Sequence, residues 1–180
     1  MDASQIHAQQ MLDRWAKGQP ENVRSAVMTS REILEEIRLA HHNIVVRAPR
    51  VDGDRDQEYK LLYDACVVAG NALMHAYGYR ASGAGGHRAA VTAAVGVLRS
   101  LHDEGAAREV QSVSSVLAVK RHEAAYERLH AVDGEDLAFA HALSSSVVPV
   151  LCRRAAERLG LDLGSEGITF PGGADDVPKA

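Results

Sequence analysis

The sequence predicts an all-α protein, an up-and-down bundle of about five to six helices. Apolar residues recur every three or four positions through most of the chain, which is the period of a helix with one buried face. Hydrophobic residues make up 46% of the chain, whereas aromatic residues make up only 4%. A core of mainly Ala, Leu and Val favours closely packed helices over a β-sandwich. No segment has the pattern of a convincing strand.

Two helices are predicted in the first fifty residues. The first covers about residues 3–17, with Asp2 or Ser4 as its N-cap. The second follows Thr29, which is separated from Glu32 by the spacing of a capping box. In that motif the hydroxyl and the carboxylate each satisfy a backbone N–H group at the start of the helix. This helix should end at Pro49, in a solvated loop.

The third predicted helix, about residues 56–77, is the most apolar and should lie in the centre of the core. Gly78 follows it as a plausible left-handed residue beyond the C-cap. A glycine-rich loop at 83–86 leads to the fourth helix, about residues 87–101. The loop suggests either a phosphate cradle or a simple connection, and it lacks the Gly-Lys-Ser/Thr ending of a P-loop.

Two further helices are predicted in the second half of the chain. Gly105 and Ala106 separate the fourth helix from a long fifth one, about residues 107–132. The last helix begins at 133–136 and contains Pro149, which removes a backbone donor and clashes with the preceding turn. A kink or a break is therefore expected at that proline.

The predicted organisation has three parts. Residues 1–28 form an N-terminal helix and linker, residues 29–160 form the bundle, and residues 161–180 form a flexible tail. The tail is rich in Gly, Asp and Pro and has few apolar anchors, so its last ten residues or so are expected to be disordered.

Composition excludes several classes of protein. The net charge of −4 and the pI near 6.1 argue against a protein that coats nucleic acid by bulk charge. Cys66 and Cys152 fall in apolar helical patterns, as expected of buried thiols in a reducing cytosol. Neither a signal peptide nor a membrane span is predicted, so we expect a cytoplasmic protein with no membrane contact.

Local charge and histidine spacing are more informative. Residues 66–102 contain no Asp or Glu. The arginines and histidines of that region are Arg80, Arg88, Arg99, His75, His87 and His102. They predict a positive electrostatic potential on one helix pair and its loop. Either RNA or an acidic partner binds this surface, or it is simply a solvated helix face. The nine histidines lack metal-ligand spacing, so no metal or cofactor is predicted.

The main candidate site lies on the fifth helix. His122, Tyr126 and His130 are four residues apart and share one face, and Arg121 lies beside them. This stripe is either a small polar site or an ordinary half-exposed helix face. Metal-independent RNA cleavage needs a base, an acid and a cation over the phosphate. Arg121 with His122 or His130 would supply these groups, whereas a tyrosine is a poor base and better suited to hydrogen bonding or stacking.

Several motifs resemble those of the HEPN (higher eukaryotes and prokaryotes nucleotide-binding) domain family, particularly its short bacterial members. The matching pieces are Ser30-Arg31-Glu32, Tyr59 to Ala65, Ala72-Leu73, Gly78-Tyr79-Arg80, Gly85-Gly86-His87 and Arg121 to Tyr126. They extend from Ser30 to about Leu159. The resemblance implies an up-and-down bundle, in agreement with the periodicity.

The resemblance also implies a function. Ribonucleases of the family carry an arginine, then Asn, Asp or His, then three residues and a histidine, and they usually act as homodimers. Arg121 and His122 match the first two positions, and Tyr126 stands in place of the final histidine. Many family members pair with a nucleotidyltransferase-like antitoxin or belong to phage-defence systems, which implies such a partner here.

Two functions follow as expectations. The first is a module with a degenerate motif that binds RNA, a nucleotide or a protein partner. The alternative is an active metal-independent ribonuclease toxin with its site at a dimer interface. The expected catalytic residues are Arg121, His122 and Tyr126, and the expected binding residues are Arg80, His87, Arg88, Lys120 and His130.

Overall fold

A computed structural model describes residues 2–19, 21–51, 53–82, 86–123 and 131–170. It confirms the all-α prediction, with one small two-stranded sheet in addition. The α-helices are α1 (Ala3–Gly18), α2 (Ser30–His42), α3 (Arg55–Ala76), α4 (Gly86–Ser100), α5 (Glu104–Ser112), α6 (Ala118–His122) and α7 (Gly134–Leu159). Two π-helical segments, Asn43–Arg47 and Val113–Leu117, and a 3-10 turn, Ala48–Arg50, extend α2 and join α5 to α6. Among the described helices, none is long and apolar enough to cross a membrane.

Helix α3 is the centre of the core, as its apolar sequence predicts. It packs against α7, α2 and α4, and 13 of its 22 residues are buried. Small residues let the neighbouring helix come close: a Cβ atom at Gly70 would lie 3.6 Å from the carbonyl oxygen of Ala90 on α4. The Ala-rich composition therefore serves close helix packing.

The predicted helix ends are confirmed where the signal is local. The Asp2 carboxylate accepts a hydrogen bond from the Gln5 backbone N–H at 2.8 Å. The Thr29 hydroxyl accepts one from the Glu32 N–H at 3.2 Å, and the Glu32 carboxylate accepts one from the Thr29 N–H at 2.7 Å. Gly78 follows α3 with a φ of +81°, a left-handed conformation that glycine adopts without steric cost.

A short antiparallel sheet corrects the expectation that the chain has no strand. Strand β1 (Val23–Ser25) pairs with β2 (Tyr79–Ala81), with Arg24 opposite Arg80. The Tyr79 hydroxyl donates a hydrogen bond to the Asp13 carboxylate on α1, which ties the N-terminal helix to this sheet. Three residues are too few to show a two-residue period, so the sequence could not reveal either strand.

Helices in the second half of the chain also differ from expectation. Helix α5 starts at Glu104, where the Asp103 carboxylate accepts a hydrogen bond from the Ala106 N–H at 3.2 Å, so Gly105 and Ala106 lie inside the helix. Helix α7 runs without a break through the buried Pro149, so the expected break at that proline is absent. The fifth helix was expected to reach about residue 132, but residues 131–133 are not helical, and positions 124–130 lie outside the described residues.

The segment 161–170 is packed against the bundle, which corrects the expectation of a flexible tail from residue 161. Ile168 is 5% exposed and Phe170 is 8% exposed. The Phe170 ring meets the His41 ring edge to face, with centroids 5.2 Å apart, and His41 Nε2 lies 2.9 Å from the Thr169 carbonyl oxygen. The segment therefore belongs to the core. Residues 171–180, expected to be disordered, lie outside the described part.

Candidate functional site

The helix changes from α-helical to π-helical between α5 and α6, next to the candidate site. Residues Val113–Leu117 are π-helical, and the Ser114 and Ser115 hydroxyls both donate hydrogen bonds to the Gln111 carbonyl oxygen, at 2.9 and 3.2 Å. Such bonds from serine to a preceding carbonyl compete with the regular helix and bend it. Single π-helical turns are frequent at functional sites.

A surface cleft of about 560 Å³ lies between α4 and the π-helical segment with α6. We call it the Arg88–His122 cleft. Its lining residues are Tyr63, Arg88, Val91, Ser114, Ser115, Ala118, Val119, His122 and Glu123. The cleft thus brings together two predicted site residues, Arg88 and His122, that are far apart in the sequence.

Tyr63 positions two further predicted residues at this cleft. Its ring is 5% exposed and lies 5.8 Å from the guanidinium carbon of Arg121. The centroid of the His87 ring lies 6.0 Å from that of the Tyr63 ring, at an interplanar angle of 48°. Burial raises the pKa of the Tyr63 phenol, and the Arg121 charge opposes this rise. The uncharged Tyr63 ring therefore contacts both the Arg121 guanidinium on α6 and the His87 imidazole on α4.

Lys120 has a linking role in this structure. Its ammonium nitrogen lies 2.8 Å from a carboxylate oxygen of Asp136 at the start of α7, and 3.7 Å from one of Glu123. The hydrogen bond to Asp136 raises the pKa of Lys120 above its ordinary value. The carboxylates of Asp136 and Glu123 balance this ammonium, and Arg88 is the arginine that lines the cleft.

The basic region 66–102 does not form one continuous face, contrary to the sequence expectation. Arg80 lies on β2 and lines a different pocket, of about 520 Å³, together with His75. His75 Nδ1 is 2.7 Å from a Glu36 carboxylate oxygen, and Arg99 Nε is 3.6 Å from a carboxylate oxygen of Glu104. Both carboxylates come from outside the region, so the fold disperses and partly neutralises its charge.

Several candidates lie outside the described residues. These are Tyr126, His130 and positions 83–85 of the glycine-rich loop. Within the described ranges, no group of three or more His, Cys, Asp or Glu side chains is placed to hold a metal ion. The polar groups that line the cleft are the guanidinium of Arg88, the imidazole of His122, the hydroxyls of Tyr63 and the two serines, and the carboxylate of Glu123.

Three residues of the cleft were missed as site residues: Tyr63, Ser114 and Ser115. Tyr63 belongs to the tyrosine-containing motif of α3, but an apolar helix pattern favours a core role for it. The adjacent serines interrupt an apolar helical pattern, and that interruption was the available signal. Their positions beside Arg88 depend on the packing of α4 and could not be read from spacing.

The cleft has the groups to bind a phosphate. A guanidinium offers a planar fork of N–H donors that matches two phosphate oxygens. The Ser114 and Ser115 hydroxyls donate to the Gln111 carbonyl, so their oxygens are available as acceptors, for example for a ribose 2′-OH. His122 adds an exposed imidazole to the same cleft. Arg88, His122 and the two serines thus line the cleft together with the apolar Val91 and Val119.

Comparison of the chain with protein-family models, with curated proteins and with solved structures finds no match. The resemblance to the HEPN domains rests on the motifs quoted above, and a function has to be inferred from the geometry of the cleft.

Proposed function

We propose that the chain is a HEPN-like module that binds single-stranded RNA through the Arg88–His122 cleft, with Tyr126 marking a degenerate catalytic motif. The observation that supports this most is the meeting of Arg88 and His122 in one cleft with two serine hydroxyls. An open cleft with a cation and hydrogen-bond donors suits a sugar–phosphate backbone. Arg121 and His87, held by Tyr63, border the same place.

The charge of the protein sets the expected strength of binding. The chain carries a net charge of −4, so bulk attraction to RNA is absent and the local cations must provide the affinity. If Arg88, Arg121 and a protonated histidine neutralise about three phosphates, the logarithm of the affinity should fall with log salt at a slope of about −2. Binding should therefore be modest and sensitive to salt.

Fluorescence anisotropy with a labelled single-stranded RNA tests this proposal. Arg88→Ala should weaken binding about tenfold and make the salt slope shallower by about 0.7, because one charged phosphate contact is lost. Arg108→Ala is the matched control, since Arg108 is an exposed arginine of α5 that does not line the cleft. Equal effects of the two substitutions, or no RNA binding by the wild type at low salt, would rule out the cleft as the binding site.

An active ribonuclease is the second candidate, favoured by the exposed imidazole of His122 in the same cleft as Arg88. These two groups would supply proton transfer and phosphate neutralisation without a metal. Incubation of labelled RNA in EDTA distinguishes the functions: cleavage that disappears in His122→Ala supports the nuclease. Uncut RNA, together with equal growth of bacteria expressing wild type or an Arg121→Ala/His122→Ala double variant, supports the binding module.

The biological setting belongs to the same proposal. We place the protein in the cytoplasm, in a toxin–antitoxin or phage-defence system with a nucleotidyltransferase-like partner, by resemblance to the HEPN family. Two free buried cysteines are consistent with a reducing compartment. Coexpression with the product of a neighbouring nucleotidyltransferase gene, followed by copurification, tests the partner.

A homodimer is also proposed, and an apolar surface beside the cleft supports it. Val116 and Val119 are 44% and 57% exposed and lie three residues apart, with His122 three residues further along. Light scattering at tens of micromolar should give twice the chain mass, and Val119→Asp should restore the monomer. Val27→Asp is the control, because Val27 is fully exposed on the β1–α2 linker. A wild-type monomer at that concentration would refute the dimer.

A further inference from the structure

A second polar pocket lies between the start of α1 and the end of α4. It has a volume of about 380 Å³ and is lined by Ala3, Ser4, His7, Arg99, Ser100 and His102. None of these residues lines the Arg88–His122 cleft. Among the described lining residues there are two imidazoles, a guanidinium and two hydroxyls, and no carboxylate. We call it the His7–His102 pocket.

The two histidines of this pocket differ from others in the bundle. His75 and His141 are each 2.7 Å from a glutamate oxygen, and His41 is 2.9 Å from a backbone carbonyl oxygen. The exposed imidazoles of His7 and His102 make no hydrogen bond or ion pair with any residue that the structure describes. Their ring nitrogens are therefore available to a ligand.

Arg99 is held in place at the same pocket. Its Nη2 donates a hydrogen bond to the Gln111 side-chain oxygen at 3.2 Å, and its Nε lies 3.6 Å from a Glu104 carboxylate oxygen. These contacts to α5 orient the guanidinium and leave some of its five N–H donors for another acceptor. A fixed arginine loses less side-chain entropy when it binds an anion.

The backbone at His102 gives an independent reason to assign a role to this side chain. Helix α4 ends in a Schellman motif, in which the Asp103 N–H bonds the Leu98 carbonyl at 2.9 Å and the His102 N–H bonds the Arg99 carbonyl at 3.0 Å. His102 occupies the left-handed position of that motif with a φ of +61°, where glycine is preferred. Such strained positions occur often at ligand-binding sites. A histidine at this position is less favourable for the backbone than a glycine, and it places an exposed imidazole at the pocket.

We propose that the His7–His102 pocket binds the phosphate group of a small phosphorylated ligand. The guanidinium of Arg99 and the ring N–H groups of the two histidines would contact the phosphate oxygens, with the Ser4 hydroxyl as a further donor. The volume lies within the range of small-molecule sites and exceeds that of a phosphate alone, which leaves room for an organic part. This site is independent of RNA binding at the Arg88–His122 cleft.

Titration with inorganic phosphate, followed by histidine ring resonances in NMR and by calorimetry, tests the proposal. The His7 and His102 signals, assigned with the single variants, should shift on binding. His7→Ala should weaken phosphate binding about tenfold, through loss of a charge-assisted hydrogen bond. His42→Ala is the matched control, because His42 is an exposed histidine on α2. Phosphate that shifts neither signal at millimolar concentration would overturn the proposal.

His102→Gly gives the sharpest result. Glycine relieves the left-handed strain, so the midpoint of thermal unfolding should rise while phosphate affinity falls. A rise in stability with unchanged phosphate affinity would show that His102 has no ligand role and would overturn the proposal.

A loss of phosphate binding in Arg88→Ala, with binding intact in His7→Ala, would assign phosphate to the cleft and would also overturn it. 5′-AMP should bind more tightly than inorganic phosphate, since the pocket has room for an organic part, and weaker binding would contradict that part of the proposal.

Discussion

Replacement of Phe170 by alanine measures how firmly the C-terminal segment holds the bundle. Phe170 is 8% exposed and contacts the His41 ring at a centroid distance of 5.2 Å. Truncation of a buried phenylalanine to alanine lowers the free energy of unfolding by about 3–5 kcal/mol, and this figure includes the loss of any contact between aromatic rings. Because the ring lies at the margin of the core, we expect the lower value, about 3 kcal/mol. This is a large share of the roughly 5–15 kcal/mol that stabilises a typical domain.

Urea denaturation followed by circular dichroism checks this value. The midpoint should fall without a change in the slope m, and the thermal midpoint should fall by roughly 6–12 °C. Phe139→Ala is a matched control, because Phe139 is 44% exposed on α7, and it should change stability by about 0.5 kcal/mol or less. If Phe170→Ala has as small an effect as Phe139→Ala, the segment 161–170 is not part of the core.

Three further predictions concern backbone strain, thiol chemistry and acid stability. Gly78→Ala should lower the unfolding free energy by about 1–2 kcal/mol in urea titrations, because the φ of +81° disfavours a Cβ atom; an unchanged midpoint would contradict this. Burial raises the pKa of the Cys66 thiol to about 12 and raises that of Cys152 as well. A thiol reagent should therefore modify neither cysteine in the folded protein and both after denaturation, and rapid modification of folded protein would count against their burial. The hydrogen bond from Tyr79 lowers the pKa of Asp13 below its ordinary 3.8, so its stabilisation is present above pH 3.8 and is lost as the pH falls through the folded pKa. Asp13→Asn should flatten the decline of the unfolding free energy below pH 3.8, and a decline as steep as in the wild type would refute this link.

Helix ends were predictable where a few neighbouring residues determine them. The capping box at Thr29 and Glu32 and the left-handed Gly78 both act within one turn of chain, so their physics is visible in the sequence. The two strands and the packed segment around Phe170 depend on partners far away in the chain. Local patterns contain no information about such partners, and these elements were missed.

The candidate site was predictable only in part, for the same reason. Spacing and motif pointed to Arg121 and His122 on the fifth helix, and composition pointed to Arg88. Only the packing of α3, α4 and α6 placed Arg88 in one cleft with His122 and put Tyr63 beneath Arg121. Packing also dispersed the basic region, since Glu36 and Glu104 reach it from other helices.

The sequence alone determined that this chain is a bundle of Ala-rich helices with α3 at its centre, because helical periodicity and capping are local properties. The tertiary structure decided which cations share a cleft, which are neutralised, and which histidines remain available to a ligand. Electrostatic contacts depend on distances between helices, and those distances exist only once the apolar faces have packed.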